Sequence, residues 1–276
     1  MLNNINKCRW GIYMSEDLVE KALIEVAKER SKDIYDDGLK PATKEGGEAL
    51  EALVGLFNNV VLYPVKKANI TYKYKLSQFE HDMKLKNSKI PKEKLIEPPL
   101  TISGPTFEAL KYTFDTEELR EMYLNLLSSA MNIDTVEYSH PGYVDIIKQM
   151  SPLDANIFKK ISKLGENIAC ARIDIGFDKK VYTKAMPNIF APDLLNDYNP
   201  FLVSSSIANL CRLGLMTHLD NTISGFDYNS YKEHPYVVSR FEMFKEIDKT
   251  RNLHINVKGN VLIINDFGKN FAKVCL

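Results

Sequence analysis

Cysteine is scarce in this 276-residue chain, which has only Cys8, Cys170, Cys211 and Cys275 and no CxxC pair. That excludes a disulfide-stapled scaffold and a cysteine-built zinc site, and it suits a reducing, cytosolic setting. Net charge is lacking as well, with 36 basic residues against 36 acidic ones. A neutral balance argues against a dedicated nucleic-acid binder and leaves room only for a local patch. No apolar run reaches the roughly 20 residues that span a bilayer. The longest, ALEALVGLFNNVVLYP at 49–64, is interrupted by Glu51, Asn58 and Asn59. The opening MLNNINKCRWGIY lacks the apolar centre of a secretory signal. Met14 begins a stretch that reads as a helical start, so residues 1–13 are a short arm or a misassigned start. Phosphate-cradling GxxxxGK[ST] and GxGxxG loops are missing, and the serines at 204–206 lack the glycines of a nucleophile elbow. No enzyme signature is found, and no cofactor or metal is expected.

What is present is helical patterning and a hidden charge asymmetry. The N-terminal third reads as helix, followed by a turn-rich joint at 36–50 with Gly38, Pro41, Gly46 and Gly47 as breakers. Leu50, Leu53, Val54, Phe57 and Val61 then share one helical face, which predicts a buried amphipathic helix. Its wide apolar arc and the lysines after it leave peripheral membrane contact as the other reading. Val65, Ala68, Tyr72, Leu76, Phe79 and Met83 form the next stripe, and Lys66, Lys67, Lys73, Lys75, Lys84 and Lys86 all fall off it. Residues 64–95 hold nine basic side chains against three acidic ones, whereas residues 96–137 hold two against eight. Lysines interleaved with Tyr63, Tyr72 and Tyr74 are equipment for nucleic acid or anionic lipid. The plainer reading is a solvated helix face, or pairing with an acidic neighbour in the same fold.

Pro91, Pro98, Pro99 and Pro105 make 87–105 an expected extended connector, because the residue before each proline is pushed out of helical geometry. Ser103 or Gly104 is the expected cap of a helix with Pro105 in its first turn. Asp115 and Glu118 read as an N-cap with a carboxylate at N3, ahead of a stripe of Leu119, Met122, Tyr123, Leu126, Leu127 and Ala130. Pro141 opens a helix carrying Val144, Ile147 and Met150. Ser151, Pro152 and Asp154 open another that buries Ile157, Phe158, Ile161 and Leu164 and stops at Gly165. Glu117, Glu118 and Glu121 fall in first turns, where the helix dipole favours them without any catalytic role. Beyond 165, IACARIDIGF predicts a strand and 199–219 predicts a helix, a turn at Gly214 and a short strand. LHINVKGNVLIIND predicts a hairpin turning at Lys258, Gly259 and Asn260, before a last helix. That order is the order of a winged helix, although Arg212 is the sole cation of the would-be recognition helix.

The blocks VVLYPVKKANI, IPKEKLIEPPLTISGPTFEALKYTFDTEELREMYLNLLSSAMN and HPGYVDIIKQMSPLDA are similar to those of the Abi-alpha family. Its members are bacterial proteins associated with abortive infection against phages. The resemblance is strongest over residues 59–155. It implies phage defence and supplies no catalytic residue to carry over.

The expected fold is mostly α with a smaller α+β part: a helical N-terminal region at 1–97, a helical family core at 98–150 and a winged-helix-like domain at 151–276. His140 near Asp134 and Glu137 forms a thin metal candidate, and Cys170 or Cys211 beside His218 or His254 a thin nucleophile candidate. The candidate interaction surface is Lys66, Lys67, Lys73, Lys75, Arg120 and His140. Arg120 is expected to pair with Glu117 or Glu121, or to reach another helix. Pro98, Gly104, Pro105, Asp115, Glu118, Pro141 and Pro152 are read as the structural motif. The functional expectation is a non-enzymatic, cytoplasmic defence protein, in the cytosol or peripheral to the inner membrane, acting on protein partners (itself, or a phage or host factor) or an anionic membrane surface. The alternatives are a winged-helix nucleic-acid-binding regulator and a membrane-perturbing effector.

Overall fold

A computed structural model describes residues 46–60, 69–177, 181–183, 186–195, 198–247, 249–250 and 252–276, all inside one compact unit spanning residues 43–276. The helix expected before residue 36 lies outside the described residues. The architecture is mostly helical with a small antiparallel sheet, as the periodicities predict. Its helices are α1 (Gly46–Val60), α2 (Asn69–Asn87), α3 (Leu100–Thr113), α4 (Glu117–Ala130), α5 (Gly142–Lys148), α6 (Pro152–Leu164), α7 (Pro192–Leu195), α8 (Pro200–Arg212), α9 (Pro235–Ile247) and α10 (Asp266–Cys275). The strands are β1 (Asn167–Phe177), β2 (Val181–Thr183), β3 (Met216–Leu219) and β4 (Leu253–Ile264).

The helical core forms around aromatic rings. Ala49, Leu53 and Phe57 of α1 are buried, and Phe57 stacks on Phe79 of α2 with ring centroids 3.9 Å apart. Phe107 and Phe114 close the cluster at 6.1 and 5.5 Å from Phe57. Aromatic contacts of this kind add to the free energy of burying the rings. Gly46 and Gly47, expected in a joint, instead begin α1, because three buried side chains on one face offset the low helix propensity of two glycines at an end.

The connector ends earlier than proline spacing suggests. Helix α3 starts at Leu100 with Pro99 as its N-cap, and the amides of Ile102 and Ser103 both donate to the Pro99 carbonyl. Neither Ser103 nor Gly104 is the cap, and Pro105 lies inside the helix. A proline there removes the bond to the carbonyl four residues back. Burial of Ile102, Phe107 and Leu110 keeps the helix intact across it. Likewise Thr116, not Asp115, is the N-cap of α4, so Glu118 stands in the first turn one position earlier than expected. The α4 stripe is buried as predicted.

Pro141 is the N-cap of α5. Helix α6 opens with a reciprocal capping box between Ser151 and Asp154, with Pro152 in its first turn, and stops at Gly165, whose φ of 121° suits glycine. Ile157, Phe158 and Ile161 are buried, but Leu164 is half exposed where the helix leaves the core.

The sheet is antiparallel in the order β2-β1-β4-β3. Strand β1, helix α8, the turn at Gly214, strand β3 and helix α10 fall where the sequence placed them. The hairpin does not. Strand β4 runs unbroken through Lys258, Gly259 and Asn260, which lie opposite Arg172, Ala171 and Cys170 of β1. Gly259 serves close packing instead of turning: a Cβ there would stand 2.7 Å from the ring of Tyr228. The Tyr228 hydroxyl accepts from the Ile223 amide and donates to the Asn260 carbonyl, which pins the ring over the strand. Glycine inside a strand often marks such a close approach. The connection from β3 to β4 is the long segment 220–252, which contains α9.

Candidate interaction surface

The polarised middle of the sequence closes on itself. Lys75 on α2 pairs with Asp115 before α4 at 2.7 Å, and Lys94 pairs with Asp134 at 2.6 Å. Lys86 reaches both Glu121 and Asn125 of α4, each at 2.7 Å. Asp115 is thus an ion-pair partner between segments, not a cap. Solvent screens charge pairs near a protein surface, so the larger effect of the Lys75 and Lys86 pairs is to fix how α2 lies against α4.

Lys75 and Arg120 converge on Phe114. The Lys75 ammonium lies 5.5 Å from the ring centroid and the Arg120 guanidinium 5.4 Å. Arg120 Nη1 also donates to the Phe114 carbonyl at 3.0 Å, a tertiary role in place of a pair with Glu117 or Glu121. Lys66 and Lys67 lie outside the described residues, as does the side chain of Lys73. His140 stands apart from this cluster. Its Nδ1 accepts the amide of Gly142 at 3.0 Å, and its ring rests against Tyr143 and Phe267. Among the described residues no group of three His, Cys, Asp or Glu side chains is placed to hold a metal ion.

The thiols are held protonated by burial. Cys170 is pushed up to about 12, and Cys211 and Cys275 are raised as well. A hydrogen bond from the His218 backbone opposes the shift at Cys211 and is the smaller effect. Burial also lowers His218 and His234, so both imidazoles stay neutral more readily than in water. A thiol without thiolate character is a poor nucleophile.

Two features were not foreseen as sites. The first is a cleft of about 700 Å³ between the end of α2, α4, α6 and α10. Lys86, Lys89, Lys159 and Lys273 stand on its basic walls, and Glu117, Glu118 and Glu121 on the α4 wall. Its floor is already hydrogen-bonded: Asn125 donates to the carbonyls of Cys275 and Leu276, Ser129 to that of Val274, and Asn156 to Glu118. A second hollow of about 340 Å³ shares Asn156 and Lys159 with the first and adds Lys160, Lys163 and Tyr198. The charge asymmetry signalled α2 and α4, but Lys159 and Lys273 come from distant segments that no local pattern joins to them.

The second is a polar lock between α6 and α8. Buried Asp154 accepts from the Ser151 amide, from Asn209 Nδ2 and from the Ser206 hydroxyl. Asn209 also donates to the Gln149 carbonyl, and Arg212 Nη1 to the Gln149 side chain. The SPLDA segment therefore holds the helix that follows the sheet's first strands, besides capping its own.

No curated protein and no solved structure matches the chain. The family model described as abortive infection alpha matches residues 71–275, which takes in Phe79, Phe107 and Phe114 of the aromatic core, the helices that line the charged cleft and the whole sheet. Because that match covers most of the chain, the chain belongs to the abortive infection alpha family.

Proposed function

We propose that this protein is an anti-phage defence factor of the abortive-infection type, acting through non-covalent contacts with protein rather than through catalysis. The observation that carries the reading is the family match over residues 71–275. The non-catalytic part is supported by how the reactive groups are used. The described cysteines are raised by burial, and His140 accepts a backbone amide.

We read residues 151–276 as a winged-helix-like module turned to protein recognition. Support comes from the order helix α6, strand β1, helices α7 and α8, then strands β3 and β4, with β4 between its two partners. The segment 220–252 takes the place of a simple wing. The exposed face of α8 carries Phe201 and Leu202, and its Arg212 is engaged by Gln149 and Asn209. Such a face suits an apolar partner better than a phosphate backbone. Among the described residues no helix is long and apolar enough to cross a membrane, and the apolar face of α1 is packed against Phe79.

The test is phage challenge of cells with and without the gene, at low and high multiplicity. Culture survival at low multiplicity with collapse at high multiplicity is the expected outcome. Absence of protection across a broad phage panel would sink the proposal.

A further inference from the structure

We infer that the cleft between α2, α4, α6 and α10 is a docking groove for an acidic, extended segment of a partner protein that carries one basic side chain. The inference rests on the reading that the protein works through protein contacts, and it names the chemistry of that partner.

The argument begins with which charges are still free. Lys86 is neutralised by Glu121. Lys89 and Lys159 are exposed on the cleft's rim, and their ammonium groups make no hydrogen bond or ion pair with any described residue. Lys273 is engaged only by a ring, its ammonium 3.4 Å from the centroid of Tyr138. Three cations therefore face the cleft without a counter-ion. On the α4 wall Glu117 has no cationic partner among the described residues, and Glu118 has only the amide of Asn156.

A guest that complements this distribution is mainly anionic, with a cation or amide donors on the α4 side. A polyphosphate backbone presents only anions and would set them against Glu117 and Glu118, the α4 carboxylates without a cationic partner among the described residues. A peptide meets the same wall with N–H groups and a basic side chain. Extent points the same way. Two hollows share Lys159, so the lysines at 89, 159 and 163 mark a track from the end of α2 along α6 rather than a closed chamber. The floor's donors are already engaged, so recognition falls to the free charges on the rim.

The test uses the full-length protein and three fluorescein-labelled probes: a Glu/Asp-rich peptide with one central lysine, an all-acidic peptide of equal length, and a single-stranded oligonucleotide. Anisotropy is expected to saturate in the micromolar range for the first peptide, and more weakly for the all-acidic one. The double variant K89E/K159E should weaken the first peptide at least tenfold while leaving the thermal midpoint unchanged, because both side chains are exposed. The inference is overturned if that peptide fails to bind, if K89E/K159E binds it as well as the parent, or if the oligonucleotide binds more tightly. The assay needs no phage, so its outcome is separate from that of the infection experiment.

Discussion

Asp154, in the first turn of α6, accepts the hydroxyl of Ser206 from the middle of α8, and both side chains are buried. With the Ser151 amide and Asn209 also donating, the carboxylate is satisfied by three donors, two from α8 and one from the cap of its own helix. Removing it leaves those donors without an acceptor, and buried unsatisfied groups cost about 1–3 kcal/mol each. Asp154→Ala should therefore lose about 3 kcal/mol in denaturant unfolding, and Ser206→Ala about 1–2 kcal/mol. In a double-mutant cycle the two losses should fall short of additive. Strict additivity would mean that the contact carries no coupling.

The continuous strand β4 makes a second prediction. A methyl group on Gly259 would stand 2.7–2.9 Å from the Tyr228 ring, so Gly259→Ala must push that ring off the strand. The expected loss is about 1–3 kcal/mol, as for overpacked sites. Tyr228→Ala in the same background should relieve part of the Gly259→Ala penalty. A turn at residues 258–260 would tolerate alanine differently, and Tyr228 would have no influence.

Phe57 tests whether α1 is core. It is fully buried and stacked on Phe79. Truncating a buried phenylalanine costs about 3–5 kcal/mol, so Phe57→Ala should unfold at markedly lower denaturant. A near-neutral effect would return α1 to the surface and reopen membrane contact for its apolar face.

Stability should also respond to acid through His218. Although the residue reaches solvent in edge strand β3, partial desolvation lowers its pKa below the ordinary 6.5, an effect Asp220 opposes and the Lys258 charge reinforces. The unfolded chain therefore binds the proton first as pH falls. Stability is fully present above 6.5 and declines as pH drops through that value toward the folded pKa. His234, lowered by burial alone, adds in the same direction. The thermal midpoint should fall between pH 7 and pH 5, and His218→Gln should flatten part of that slope. An unchanged slope in the variant would place the acid sensitivity elsewhere.

Much of this fold was legible before any coordinates. Ser151, Pro152 and Asp154 announced a helix start because all of its parts lie within four residues, and the α4 stripe was readable because helical period is a local property. The expectations that failed were also local readings, made where a distant partner decides. Asp115 looked like a cap, yet Lys75, forty residues earlier, takes it. Gly259 looked like a turn, yet Tyr228 needs the space above it. Pro105 looked like a helix start, yet Pro99 already holds the first amides and the core carries the helix across the proline.

For function, the sequence alone determined the family blocks, the absence of phosphate loops and cysteine motifs, and the opposed charges of 64–95 and 96–137. Those follow from residue identity and near spacing, which need no folding to be read. Only the tertiary structure decided that the opposed charges bind each other, that Arg120 serves Phe114, and that Lys89, Lys159 and Lys273 face one cleft without a carboxylate partner among the described residues. Charge complementarity acts through space over a few ångströms, and positions separated by more than a hundred residues come within that range only when α2, α6 and α10 pack around α4.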